Sequence, residues 1–162
     1  MNGRVAVRSA ELDDTDRALV VVRQSIIQLC VADHQNDPTT LERWLSNKTP
    51  EHFARWLADS EGVVVVAVLD EEVRGVGYVR RSGKIHLMYV EPCFERAGLG
   101  SAILQDLERW ALAWGLTELS LESSLAARGF YACHGFHSLG EPSCAFGVLR
   151  CYPFKKSIGQ KS

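Results

Sequence analysis

Apolar and polar positions alternate along Arg4–Arg8, the period of a strand. From Ala18 to Val31 the period lengthens, with Leu19, Val22, Ile26 and Leu29 at helical spacing. Asp13 or Asp14 stands ahead of this stretch, where a carboxylate accepts from the free N–H groups of a helix start. Asp33–Pro38 breaks the pattern. Thr39-x-x-Glu42 then has the form of a capping box and predicts a short helix through Leu45. Thr49-Pro50 opens another, reaching about Ala58, with Pro50 at the first helical position, where a missing N–H costs nothing.

Beyond residue 60 the pattern becomes β-like. Val63–Leu69 is continuous and β-branched, as in a strand covered on both faces. Asp70-Glu71-Glu72 turns the chain, Val73–Arg80 returns, Ser82-Gly83 turns again, and Ile85–Val90 is a further strand ended by Pro92. Leu99–Trp114 is helical, with Ile103, Leu107, Trp110, Ala111 and Trp114 on one side and Gly115 in the left-handed capping position. Leu119–Glu122 reads as a strand, and Leu125–Cys133 as a helix closed by Gly135. Ala145–Tyr152 reads as the last strand, and Phe136–Leu139 offers one more. The expected architecture is a mixed α/β fold, a sheet flanked by helices, in one domain over residues 1–154. Residues 155–162 are read as a polar tail without a core pattern.

Composition narrows the function classes. A chain of 162 residues suits one domain. Eighteen basic against twenty acidic residues give a net charge of -2, without the basic excess of a nucleic-acid partner. The longest apolar run, Val63–Leu69, is far short of the ~20 residues a membrane helix needs. Met1–Arg4 has no apolar signal region. The five cysteines, Cys30, Cys93, Cys133, Cys144 and Cys151, are odd in number and show no C-x-x-C spacing. Reduced thiols in a cytoplasmic protein are expected, with neither a disulfide framework nor a zinc knuckle.

The chemistry concentrates in two segments. Val90 through Leu104 runs from a strand end, through a turn, to glycines at the mouth of an amphipathic helix. The first N–H groups of a helix lack internal partners and carry the positive end of its dipole, so this is an anion site in form. Gly98 and Gly100 leave the backbone open to close approach by a pyrophosphate. No Gly-Lys-Ser/Thr follows, which excludes a P-loop; Ile103 stands where the dinucleotide fingerprint wants Gly or Ala.

The second segment, Leu121 through Phe136, contains Ala127-x-x-Phe130-Tyr131-x-x-x-Gly135-Phe136. Together with Val90-x-Pro92 and Arg96-Ala97-Gly98-Leu99-Gly100-Ser101, it resembles the motifs of the GNAT (Gcn-five-related) N-acetyltransferase family. The specific match covers roughly Val63–Phe136; the first sixty residues fit the family's opening without carrying a motif. The resemblance implies a mostly antiparallel central sheet of six to seven strands whose fourth and fifth strands splay apart, and acetyl-CoA as co-substrate, without a metal. It implies that the backbones of Met88, Tyr89 and Val90 hold the pantetheine arm. The N–H groups of Arg96, Ala97, Gly98, Leu99, Gly100 and Ser101 would hold the pyrophosphate. Two positions depart from the family: Glu95 stands where Gln or Arg is usual, and Ser124 where Asn is frequent, still able to serve the helix start.

Acyl transfer from a thioester to an amine requires a neutral amine, a donor to the oxyanion, and a proton for the departing thiolate. The resemblance makes Tyr131 the general acid and His86 the candidate base, with Glu122 as the alternative base. By strict strand alternation His86 shares a face with Met88 and Val90. The acceptor expected is a primary amine of a small molecule or a protein, with neither nucleic acid nor membrane as partner; family members also form homodimers. A non-catalytic acyl-CoA sensor is the alternative. Cys30, Asp33, His34 and Asp37 resemble a metal cluster but are read as a frayed helix end. His134 is read as complementing a helix C-terminus, and the four tryptophans as core. By analogy with the family, His34, Trp44 and Glu141 flank the acceptor.

Overall fold

The computed structural model describes residues 4–159. Strand β1 (Ala6–Ser9) is followed by a 3-10 turn (Leu12–Asp14) and four helices: α1 (Thr15–Leu29), α2 (Val31–His34), α3 (Pro38–Leu45) and α4 (Pro50–Leu57). Strands β2 (Gly62–Leu69), β3 (Glu72–Arg80) and β4 (Ile85–Val90) then lead into α5 (Leu99–Ala113). Strand β5 (Glu118–Ser123), helix α6 (Arg128–Cys133) and strands β6 (His137–Ser138), β7 (Ser143–Phe146) and β8 (Leu149–Ser157) complete the chain.

The helix starts follow local chemistry, with two departures from the sequence reading. Thr49 caps α4 as expected, accepting the His52 N–H at 3.3 Å, with Pro50 inside the first turn. Helix α3 is capped by Asp37, not by the Thr39 box: the Asp37 carboxylate accepts the Thr40 N–H at 3.1 Å and Pro38 occupies the first turn. Asp14 makes no cap bond to α1 and instead pairs with Arg8 at 2.8 Å.

The strands form two half-sheets. The first has the order β1-β2-β3-β4 and is antiparallel throughout. The second pairs β8 with β5, β6 and β7, also antiparallel. One core packs α5 against the first half-sheet and against β5, α6 and β8, through Val65, Ile103, Leu107, Leu121, Tyr131 and Phe154. The other packs α1 and α4 on the opposite face, through Val22, Ile26, Phe53, Val64 and Val66. Val64 and Val66 serve one core while Val65 and Ala67 serve the other, the doubly covered strand that the valine run predicts. Fully burying each such side chain contributes at most ~1.5–3 kcal/mol.

Two C-terminal expectations are corrected. Ala145–Tyr152 is not one strand: Gly147, at φ 52°, turns the chain between β7 and β8. The polar tail does not begin at Lys155. Strand β8 runs on through Ser157, paired with β5 as far as Glu118, and Ile158 is buried in the core. Residues 160–162 lie outside the described residues.

Candidate active site

Strands β4 and β5 meet through one parallel bridge, Lys84 to Ser120, where the Ser120 N–H donates to the Gly83 carbonyl at 2.9 Å. Beyond it they separate into different half-sheets. Among the described residues, the β4 edge facing this gap therefore presents backbone N–H and C=O groups without a strand partner, and such groups require one when buried. Met88, Tyr89 and Val90 line the gap.

The gap has two compartments. The larger, about 350 Å³, is bounded by Met88, Tyr89 and Val90 of β4, Glu95 and Gly100 at the mouth of α5, Cys30 after α1, and Phe130 and Tyr131 of α6. The smaller, about 140 Å³, is bounded by His86, Glu122, Trp44 and the Leu149–Cys151 start of β8. Both share Met88, Tyr89, Ser124, Ala127 and Tyr131. Tyr131 thus stands where they join, and it is buried. Burial, reinforced by the neighbouring Tyr89 and Cys30, pushes its hydroxyl pKa up and keeps it protonated at neutral pH.

At the mouth of α5, Gly98 adopts φ 84°, a left-handed conformation that favours glycine, while open space surrounds its Cβ direction. Gly100 has a different reason: a Cβ there would lie 3.0 Å from the Phe130 ring. Among the described residues, the N–H groups of Arg96, Gly98, Leu99, Gly100 and Ser101 donate to no backbone carbonyl. Ala97 departs from the expectation, since its N–H is committed to the Phe94 carbonyl at 3.1 Å. Glu95 turns its carboxylate back to accept the Cys93 N–H at 2.8 Å, which spends one lone pair within its own turn. His134 bridges the two motifs. Its Nδ1 bonds the Phe130 carbonyl at 2.8 Å and its Nε2 bonds the Ser101 hydroxyl at 2.8 Å.

His86 reaches the smaller compartment by a route that strict alternation misses. Tyr78 pairs with Leu87 and Val79 with Ile85, so His86 is an extra residue, a bulge in β4. The bulge places its ring 5.5 Å from that of Tyr78 instead of on the Met88–Val90 face. His86 is exposed at the rim of the compartment; the desolvation it does undergo, then the nearby Lys84 and Arg80 charges, lower its pKa and favour the neutral ring, against smaller opposing pulls from Asp59 and Glu122. Glu122 is exposed and lies 3.9 Å from Lys84.

Asp33 is the residue that sequence reasoning missed. It is 4% exposed, and its carboxylate accepts the Leu125 N–H at 2.6 Å and the Ala126 N–H at 3.1 Å. The Ser124 hydroxyl accepts the Ala127 N–H at 3.2 Å. Asp33 and Ser124 together satisfy the amides that lead into α6, and so fix the helix that carries Tyr131. His34 is fully buried: Nε2–H donates to the Ile26 carbonyl at 3.0 Å, and Nδ1 accepts the Asn36 N–H at 3.0 Å. Its ring packs edge-on against Trp44 at 6.3 Å. Trp44 lines the smaller compartment, and Glu141 is exposed.

An acetyltransferase (GNAT) domain model matches residues 29–158. The chain belongs to the GNAT acetyltransferase family. Its fold is shared with a GCN5-related N-acetyltransferase from Rhodopseudomonas palustris, at 22% identity and a TM-score of 0.85 over 98% of both chains. It is also shared with the PaiA N-acetyltransferase of Thermoplasma acidophilum in complex with coenzyme A, at 17% identity and 0.78 over 96% of this chain and 99% of that one. An aminoglycoside 6'-N-acetyltransferase complexed with coenzyme A aligns at 13% identity and 0.74, over 97% and 99%. No curated protein sequence matches the chain. Among the described residues, no helix is long and apolar enough to cross a membrane.

Proposed function

We propose that this protein transfers the acetyl group of acetyl-CoA to a primary amine, by direct attack through a tetrahedral intermediate. The observation that carries the reading is the gap between β4 and β5, with a buried Tyr131 where its two compartments join. Coenzyme A in two proteins of the same fold supports the donor assignment.

The larger compartment takes the donor. Its pantetheine arm pairs with the open edge of β4 at Met88, Tyr89 and Val90, where a neighbouring strand would otherwise lie. The pyrophosphate is held by the amides of Arg96, Gly98, Leu99, Gly100 and Ser101, at the positive end of the α5 dipole. Ala97 is left out of this cradle because its amide is used within the turn. The smaller compartment takes the acceptor. An alkylammonium titrates near pH ~10.4, so a base must receive its proton before its lone pair can attack. His86 is that base, directly or through one water, since its surroundings favour the neutral imidazole. A β4 amide hydrogen-bonds the oxyanion. Tyr131 hydrogen-bonds the departing sulfur and supplies its proton.

Thiol release from acetyl-CoA in the presence of a panel of amines tests the reading. Tyr131→Phe lowers turnover by ~10²-fold while coenzyme A binding survives. Coenzyme A binding without turnover across a broad amine panel overturns it in favour of an acyl-CoA sensor.

A further inference from the structure

Two segments that flank the smaller compartment are tied to each other by a hydrogen bond, a latch between Thr40 and Val148. Two of the compartment's walls come from distant parts of the chain: Trp44, in the last turn of α3, and Leu149–Cys151, at the start of β8. One helical turn before Trp44 lies Thr40, which is fully buried. Immediately before Leu149 lies Val148. The Val148 N–H donates to the Thr40 hydroxyl oxygen at 3.1 Å, and that hydroxyl donates to the Asp37 carboxylate at 2.6 Å.

The turn beside this bond fits closely. A Cβ on Gly147 would sit 2.0 Å from the Thr40 hydroxyl oxygen, so only glycine brings the hairpin down this far. One residue earlier, the Arg43 guanidinium lies over the Phe146 ring at 5.0 Å. At the other end of the α2–α3 segment, Asp33 grips the Leu125 and Ala126 amides. The segment is therefore tied to both neighbours of the compartment, the β7–β8 hairpin and the loop entering α6. An extended polypeptide needs a trough open between such walls. Here the walls are hydrogen-bonded to each other.

Size sets the rest. The space is about 140 Å³. An apolar cavity of ~150 Å³ holds one benzene molecule, which is ~6 non-hydrogen atoms. The lining is mixed: apolar Trp44, Ile85, Leu87, Leu121 and Leu149 face His86, Glu122, Ser123 and Arg150. We infer that the acceptor is a compact small-molecule primary amine, seating about six non-hydrogen atoms in this space beside the Thr40–Val148 latch, and not a protein amine. This rests on the transferase reading above and deepens it.

The test measures kcat/KM for thiol release with isobutylamine, cyclohexylamine, an aminoglycoside and a hexapeptide bearing a free N-terminus and a lysine. The wild-type protein should favour the two compact amines by ~10-fold or more over the other two. Thr40→Val is isosteric and removes the latch hydroxyl while keeping the Asp37 bond to the residue-40 amide. It should raise the large-to-compact ratio by ~10-fold. Phe146→Ala removes the ring under Arg43 without touching the buried bond; it should shift the ratio the same way and carries the test if the first variant does not fold. Equal use of the peptide or the aminoglycoside by the wild type, or an unchanged ratio in Phe146→Ala and any folded Thr40→Val, overturns the latch. No release with any amine, with coenzyme A still bound, overturns the transferase reading and this inference with it.

Discussion

Replacing Asp33 with alanine isolates the device that holds Tyr131. The carboxylate is buried and accepts two backbone N–H groups, Leu125 at 2.6 Å and Ala126 at 3.1 Å. Hydrogen bonds to a charged acceptor contribute roughly 1.5–3 kcal/mol each, and both amides are left without this partner when it goes. Removing a buried charge recovers part of that loss. Water can reach the emptied site from the adjoining cavity that Asp33 and Leu125 line. The net cost is about 2–4 kcal/mol, which for a domain of this size lowers Tm by about 5–15 °C. The kinetic effect follows from position. These amides open the segment that leads into α6, so their release lets Tyr131 drift, and a displacement of ~1 Å from productive geometry costs ~10²-fold in kcat. Thermal unfolding and thiol-release kinetics on the same preparation read both. Asp33→Asn keeps one acceptor oxygen but turns an amide donor toward an N–H, so it should fall between wild type and Asp33→Ala. An Asp33→Ala protein with wild-type Tm and wild-type kcat refutes the reasoning.

Other consequences follow from the same geometry. Activity that depends on neutral His86 is lost as pH falls through its folded pKa. Because partial desolvation, Lys84 and Arg80 lower that pKa, the acidic limb of the pH–rate profile should lie below the ordinary histidine range; His86→Gln should abolish that limb, and a limb unchanged in the variant assigns the base elsewhere. Gly98→Ala forces a Cβ into a left-handed conformation at φ 84° with no neighbour to clash. It should cost about 1–2 kcal/mol in chemical denaturation, and an unchanged midpoint would show that the turn relaxes.

Legibility in the sequence followed the range of the interaction. The valine run of β2, the apolar stripe of α5 and the glycine ends at Gly115 and Gly135 depend on neighbours a few positions away, and the chain spells them out. Gly100 and Phe130-Tyr131, one from each motif, both line the larger compartment. Asp37-Pro38 was an available cap signal, yet Thr39-x-x-Glu42 is equally well formed locally; which wins is decided by the register of α3 against its surroundings. His86 shows where alternation fails: a bulge is a property of two paired strands, and nothing in Ile85–Val90 alone announces it. Gly147 between two β-prone stretches was the signal for the β7–β8 turn. Lys155–Ser157 looked like a tail because its side chains are mostly polar, while its backbone completes the ladder with β5. Asp33 and Thr40 were out of reach. Their partners lie 92 and 108 positions along the chain, and only the fold brings them together.

A crystal structure with coenzyme A bound tests the central claim most directly. The expected density runs along the open edge of β4, with the diphosphate on the amides of Gly98, Leu99, Gly100 and Ser101 and the sulfur within hydrogen-bond distance of the Tyr131 hydroxyl. Coenzyme A bound elsewhere, or lying in the cleft with its sulfur turned away from Tyr131, contradicts it.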